Sequence, residues 1–303
     1  MKSKKTGALT ASGHGRAALL FLSPALLAIA VFFFIPVIAA FVLSFTDFDI
    51  YSLGDLHYAR FVGLANYLHL FEDPLFWKAM LNTLYFLGVG APLSIAVSLA
   101  TALLLQSKAV RLKGLFRTAY FAPVVCTLVA VAVVWRFVYH PTSGLLNHAL
   151  SWVGIAPIDW LGDSHWAMPA IILLAVWKNF GYNMIIFVAG LQNIPDELYE
   201  AASLDGAGKV QQFTSVTLPM LAPTTIFICV ITMIGYFQLF AEPYVMTQGG
   251  PLNSTLSLVL LMYQHGFRWW NMGYSAALAF ILFAIILAAS VAQSQLRKRL
   301  SLP

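Results

Sequence analysis

Six apolar runs separated by polar stretches organise this chain, at residues 17–45, 79–105, 118–138, 166–190, 220–242 and 272–292. A helix crosses the hydrocarbon core in about 20 residues and absorbs extra length by tilting, so each run predicts one membrane-spanning helix. Pro24 and Pro36 predict kinks in the first run, and Gly88, Gly90 and Pro92 a bend in the second. The first run follows the basic residues 1–16 and is too long for the apolar stretch of a cleaved leader, so a retained anchor is expected. Residues 46–78 carry Asp47, Asp49, Asp55, Glu72 and Asp73 and are expected outside, as are 139–165 and 243–271. Trp135, Arg136 and Tyr139 close the third run, where rings settle at the membrane boundary and an arginine snorkels.

The polar stretch 191–219, between the fourth and fifth runs, reads as built structure. Pro195 can open a helix because its missing N–H would be unpaired in the first turn anyway, and Asp196 and Glu197 then sit where the helix dipole favours negative charge. Leu198, Ala201 and Ala202 share one face, and Asp205–Gly206 supplies the residues that stop the helix and reverse the chain. A second short helix is expected from Lys209 to Val216, ending as Pro219 re-enters apolar sequence. Ala201 and Ala202 let another backbone come close, and Glu200 beside them offers a charge to a donor on that partner. The hairpin has the features of a docking element.

Composition narrows the class. Of the 303 residues 60% are apolar and only 10% charged, against about 25% charged in soluble domains. The mean hydropathy is +0.80. The expected fold is therefore an all-α integral membrane protein of six transmembrane helices. The net charge of +5 does not point to nucleic acid, because the basic residues cluster beside the apolar runs. Of 17 lysines and arginines, 12 fall in the parts assigned to the cytoplasm: Lys2, Lys4, Lys5 and Arg16, then Lys108, Arg111, Lys113, Arg117 and Lys209, then Arg297, Lys298 and Arg299. Three fall outside, Arg60, Lys78 and Arg268. That bias predicts both termini in the cytoplasm, with a basic tail at 293–303, and puts 191–219 there too. Cys126 and Cys229 lie in separate apolar runs and suggest neither a disulfide nor a metal site. No G-x-x-x-x-G-K-[ST] stretch is present, so the chain is not expected to hydrolyse ATP; no protease or esterase motif appears either.

Polar side chains inside the runs are the candidate chemistry. Lys178 sits mid-way along the fourth run, where an ammonium costs several kcal/mol unless it is paired or faces a water-filled cavity. Asn179, Tyr182 and Asn183 extend a polar face around it, and Gly181 allows close helix approach. The fifth run carries Thr232, Tyr236 and Gln238, with Glu242 near its outer end. Amides, hydroxyls and charged groups that satisfy hydroxyls, with aromatic rings that cover apolar ring faces, are what a sugar requires. Two other readings stand beside a polar pathway. Lys178 could pair with Glu242 or a neighbouring subunit's carboxylate and hold helices together, or Lys178 and Glu242 could titrate in an ion-coupled secondary transporter, although no internal repeat is evident. A lysine there also suits an anionic ligand such as a sugar phosphate.

Glu200, Ala201, Ala202, Gly206, Val216, Leu218 and Pro219 resemble the E-A-A-x(3)-G-x(9)-I-x-L-P loop of permease subunits in binding-protein-dependent, ATP-driven importers. Valine for isoleucine at 216 is the single departure. A second stretch is similar to sugar-importer permeases of the maltose and glycerol-3-phosphate type: Thr247, Gly249-Gly250-Pro251, and Gly273 to Ala277. The maltose permease has two additional leading spans and a large outer domain, so the chain looks more like the shorter six-span members. The resemblance implies a bacterial cytoplasmic-membrane subunit that encloses a sugar path with a second, similar permease. It implies two cytoplasmic ATPase subunits, which bind the ATP and magnesium, and an extracytoplasmic solute-binding protein. The chain itself would bind no cofactor. It also implies that the loop docks on the ATPase, and that the ligand is held by the spans before and after the loop.

Overall fold

The computed structural model of the chain describes residues 20–55, 59–107 and 110–299. The basic residues Lys2, Lys4, Lys5, Arg16 and Lys108 lie outside these. Regular structure among the described residues is helical, apart from one isolated bridge between Thr46 and Phe61. The helices are α1 (Leu20–Leu43), α2 (Ala65–Glu72), α3 (Pro74–Gln106), α4 (Lys113–Val125), α5 (Leu128–Val138) and α6 (Leu145–Ser151). They continue as α7 (Ala167–Gln192), α8 (Asp196–Leu204), α9 (Lys209–Gln212), α10 (Ala222–Phe237), α11 (Ala241–Met246), α12 (Leu258–Tyr263) and α13 (Met272–Arg299). Among the described residues five stretches are long and apolar enough to cross a membrane: α1, α3, α7, α10 with α11, and α13; the pair α4 and α5 makes a sixth if it counts as one span.

The chain divides into two compact units, one of residues up to His69 with His265–Phe280, the other of Leu70–Gln264 with the residues from Ile281 on. In the first unit α1 has no buried residue, which suits a helix solvated by lipid on its apolar sides. A π-helical turn, Ala30–Phe34, precedes Pro36, and the N–H of Ile35 reaches back to Ala30. The expected kink is thus taken up as a widened turn, which accommodates a proline that cannot donate. Asn66 Nδ2 clamps the end of α1 by donating to the carbonyls of Ser44 and Thr46 at 2.9 and 2.8 Å. A Cβ at Gly273 would collide with the carbonyl oxygen of Thr46, so the glycine allows the start of α13 to lie against that backbone.

The second unit is built on α7, which packs along α3 and is mostly buried. Its apolar residues run all round the helix, as burial on several sides requires. Small residues set the approach: a Cβ on Gly181 would strike the carbonyl oxygen of Tyr120 on α4. Polar ties cross the same contacts, from Tyr139 Oη to the Ala170 carbonyl at 2.8 Å and from Ser98 Oγ to that of Phe180 at 2.9 Å. Each satisfies a hydroxyl that would otherwise be stranded away from water.

Helix boundaries depart from the sequence reading in several places. The third run is two helices, α4 and α5, which meet at 99°. Pro123 cannot donate to the turn before it, and Cys126 and Thr127 are extended, with ψ of 143° and 137°. The second span starts earlier than 79, because Asp73 accepts from the Leu75 N–H as an N-cap and Pro74 takes the first helical position. α3 runs through Pro92 as one helix. The last helix continues past 292 to Arg299.

Candidate functional site

A cavity of about 540 Å³ opens between α7 and α10 in the second unit. Asn179, Tyr182 and Asn183 of α7 line it, facing Thr232 and Tyr236 of α10. Gln238 and Glu242 complete the polar lining from the far end. That end exists because the helix breaks after Phe237: Phe240 has φ −142° and ψ −60°, and α11 begins at Ala241 with Glu242 in its first turn. The break frees the Leu239 carbonyl, which accepts from Ser257 Oγ at 2.5 Å.

Seven of the eight pathway residues read from sequence therefore share one cavity, and Lys178 is not among its lining residues. The Lys178 side chain is buried, and its ammonium donates to the carbonyls of Pro123 and Val124 at 3.2 and 3.4 Å. These are two of the four carbonyls that the end of α4 leaves without helical donors. A third, on Ala122, accepts from Cys126 Sγ at 3.5 Å. The lysine is thus a cation at a helix C-terminus, where both hydrogen bonding and the helix dipole favour it. Among the described residues it forms no salt bridge with Glu242.

Other side chains in the cavity are partly committed. Asn183 Nδ2 donates to Thr232 Oγ1 at 3.0 Å, a buried bond that ties α7 to α10. Tyr236 is 5% exposed, and its hydroxyl has no partner. Its ring stacks on Phe86 of α3 with centroids 4.8 Å apart and planes 27° from parallel. Gly90, one turn on from Phe86, gives that ring its place, since a Cβ there would lie 2.7 Å from Tyr236 Cε1. The sequence reading missed Phe86, Leu128 and Phe240, all in the cavity wall. Nothing polar marks them, and the pairing of an aromatic residue with a glycine one turn away was the one local sign.

The stretch 191–219 folds as a hairpin of α8 and α9. Asp196 and Glu197 occupy the first turn of α8, and Pro195 precedes it as the cap residue. The C-terminus closes with two linked bonds, Gly206 N–H to the Ser203 carbonyl at 3.1 Å and Ala207 N–H to that of Ala202 at 2.9 Å. This is the Schellman arrangement, and Gly206 has the φ of +81° that it demands. Space around the glycine is open, so backbone conformation alone selects it. After α9 the chain continues as a π-helical turn, Phe213–Thr217, rather than stopping at Val216. Leu218 and Pro219 then lead towards α10 as part of a further short turn. Tyr199 Oη pairs with Thr217 Oγ1 at 2.9 Å and joins the two arms, while Tyr199 and Val216 pack on a buried cluster that includes Ile194, Phe187 and Leu221. The root of the hairpin is thus anchored and its outer surface is open. Glu197, Glu200, Ala201 and Asp205 are exposed, with Ala202 half-buried. Leu204 and Val210, at 89% and 78% exposed, put bare apolar side chains at the tip.

The hairpin is thus anchored at its root, exposed at its tip and joined at each arm to a helix that lines the polar cavity. Residues 6–302 match the family described as the binding-protein-dependent transport system inner membrane component. The chain belongs to that family. It is a permease subunit of an ABC importer and not an enzyme, since in such importers separate ATPase subunits hydrolyse the ATP; an ion-coupled mechanism is accordingly not favoured. A probable ABC transporter permease protein, YurN of Bacillus subtilis (strain 168), is 37% identical over 282 residues, covering 92% of this chain and 95% of that protein. The lactose transport system permease protein LacF of Rhizobium radiobacter is 38% identical over 279 residues, 90% of this chain and 91% of LacF. Among solved structures, a bacterial alginate ABC transporter in complex with an alginate pentasaccharide-bound periplasmic protein has a chain of the same fold. Its TM-score is 0.80 at 22% identity, covering 95% of this chain and 97% of that one.

Proposed function

We propose that this permease carries a sugar or short oligosaccharide inward across the bacterial cytoplasmic membrane by alternating access. Both termini and the hairpin 191–219 face the cytoplasm in this reading, and the cavity between α7 and α10 is a station on the path. A solute-binding protein delivers the ligand outside, and a second, homologous permease completes the enclosure. Two ATPase subunits, which bind the ATP and magnesium, receive the exposed surface of Glu197, Glu200, Ala201, Ala202, Asp205 and Gly206. ATP-driven closure of those subunits favours the outward-open arrangement, and hydrolysis restores the inward-open one.

The observation that carries this reading is the cavity itself, where amides and phenols stand beside aromatic rings on the two helices that flank the hairpin. The lining suits a ligand with many hydroxyls and apolar ring faces. Support also comes from relatives whose names specify lactose and arabinooligosaccharides. The assembled importer in vesicles, with its binding protein, tests the coupling. Glu200→Ala and Gly206→Pro should lower ATP-dependent uptake with membrane insertion intact. Uptake equal to wild type in both variants would show that the hairpin is not the lever.

A further inference from the structure

The cavity wall is unequal in charge. Among its lining residues Glu242 is the one acid, and no lysine, arginine or histidine lines it. Lys178, the cation of the neighbouring helix, has its ammonium turned to the carbonyls of Pro123 and Val124. Glu242 is 8% exposed, and no donor from another side chain reaches its carboxylate among the described residues. Nearby, the Tyr236 hydroxyl is likewise without a partner although its residue is 95% buried, the complement of its 5% exposure. A buried hydroxyl and a buried acid therefore stand in one wall, and the hydroxyl has no hydrogen-bond partner. A buried acceptor without a donor is costly, and a ligand that supplies the donor recovers the cost.

We propose that Glu242 is a specificity-determining residue, which selects uncharged saccharides and turns away sugar acids and sugar phosphates. This rests on the saccharide reading above. A carboxylate accepts from two neighbouring hydroxyls of a sugar, and its charge strengthens both bonds. Tyr236 contributes a third polar contact, and its stack with Phe86 offers an aromatic edge and face to the sugar ring. An anionic ligand in the same place meets an acid in a poorly screened site, and the lining residues offer it no cation. In this proposal the group that meets the ligand is the acid Glu242, in place of Lys178.

The test uses the intact importer, this chain with its partner permease and ATPase subunits in lipid nanodiscs, and equilibrium binding of radiolabelled probes in matched pairs. Glucose is set against glucuronate and glucose 6-phosphate, and lactose against lactobionate. At least one uncharged probe should bind about tenfold or more tightly than its anionic partner, a gap of about 1.4 kcal/mol. Glu242→Gln keeps the shape without the charge. It should shrink the gap to less than about threefold, mainly by admitting the acid. Wild-type protein that binds an anionic probe as tightly as its uncharged partner overturns the proposal, with no variant needed. So does an unchanged gap in Glu242→Gln protein that unfolds at the wild-type temperature. If no probe of either charge binds, the saccharide reading falls with it, a result distinct from binding without discrimination.

Discussion

The hairpin 191–219 joins the ends of α7 and α10, the cavity lies further along the same two helices, and the two are built by opposite means. The hairpin follows from local rules: acids in a first turn, a glycine at a left-handed position, and a side-chain bond between its arms that spans only 18 residues of chain. Its outer face is exposed, and mutation there should change what it docks to and leave the fold alone. Cavity residues come from α3, α7, α10 and two helix breaks, and several hold helices together as well as lining the space. Asn183 and Thr232 bond each other, and Phe86 supports Tyr236. A site made of exposed local structure separates binding from stability; a site made inside a helix bundle cannot.

Four variants bear on that contrast. The largest effect is expected at the tip of the hairpin, where replacing both Leu204 and Val210 with aspartate should abolish most ATP-coupled uptake. Interface anchors are worth about 2 kcal/mol or more each. Thermal unfolding of the purified chain should stay at the wild-type value, and a marked drop would mean the tip is structural. In the bundle, Gly181→Val drives a side chain into the Tyr120 carbonyl. Overpacking of this kind costs about 1–3 kcal/mol, at the upper end where the obstacle is backbone. It should lower the unfolding temperature and uptake together.

Thr232→Val comes next. It strands the buried Asn183 amide, at about 1–2 kcal/mol, and a thermal scan beside a ligand titration would show stability and binding falling in parallel. Should only binding fall, Thr232 is a ligand contact more than a strut, and the contrast softens. Gly206→Ala is the gentlest, about 1–2 kcal/mol of local strain at a φ of +81° with open space around it. Hydrogen exchange of α8 should quicken while the α7 amides stay as protected as before.

The hairpin's helix start, its stop at Gly206 and its exposed acids were legible in the sequence because each depends on neighbours within one or two turns. The polar faces of the fourth and fifth spans were legible too, since polar residues in apolar helices stand out. What failed at sequence level was the assignment of direction. Lys178 lies one residue from Asn179, yet the amide lines the cavity and the ammonium reaches the end of α4. Only the break at Cys126–Thr127 could bring free carbonyls to that place, and only packing decided where the break would face.

The amino-acid order by itself determined that this chain lives in a membrane, roughly where most of its apolar helices fall, and that a helical hairpin separates two spans that carry polar residues. These follow from hydration cost and short-range backbone geometry. The tertiary structure decided which residues share the cavity, that α3 and α5 contribute to it, and that the third span turns through 99°. Those outcomes depend on which helix faces which, and in lipid that is settled by shape and by the pairing of stranded polar groups between helices distant in sequence.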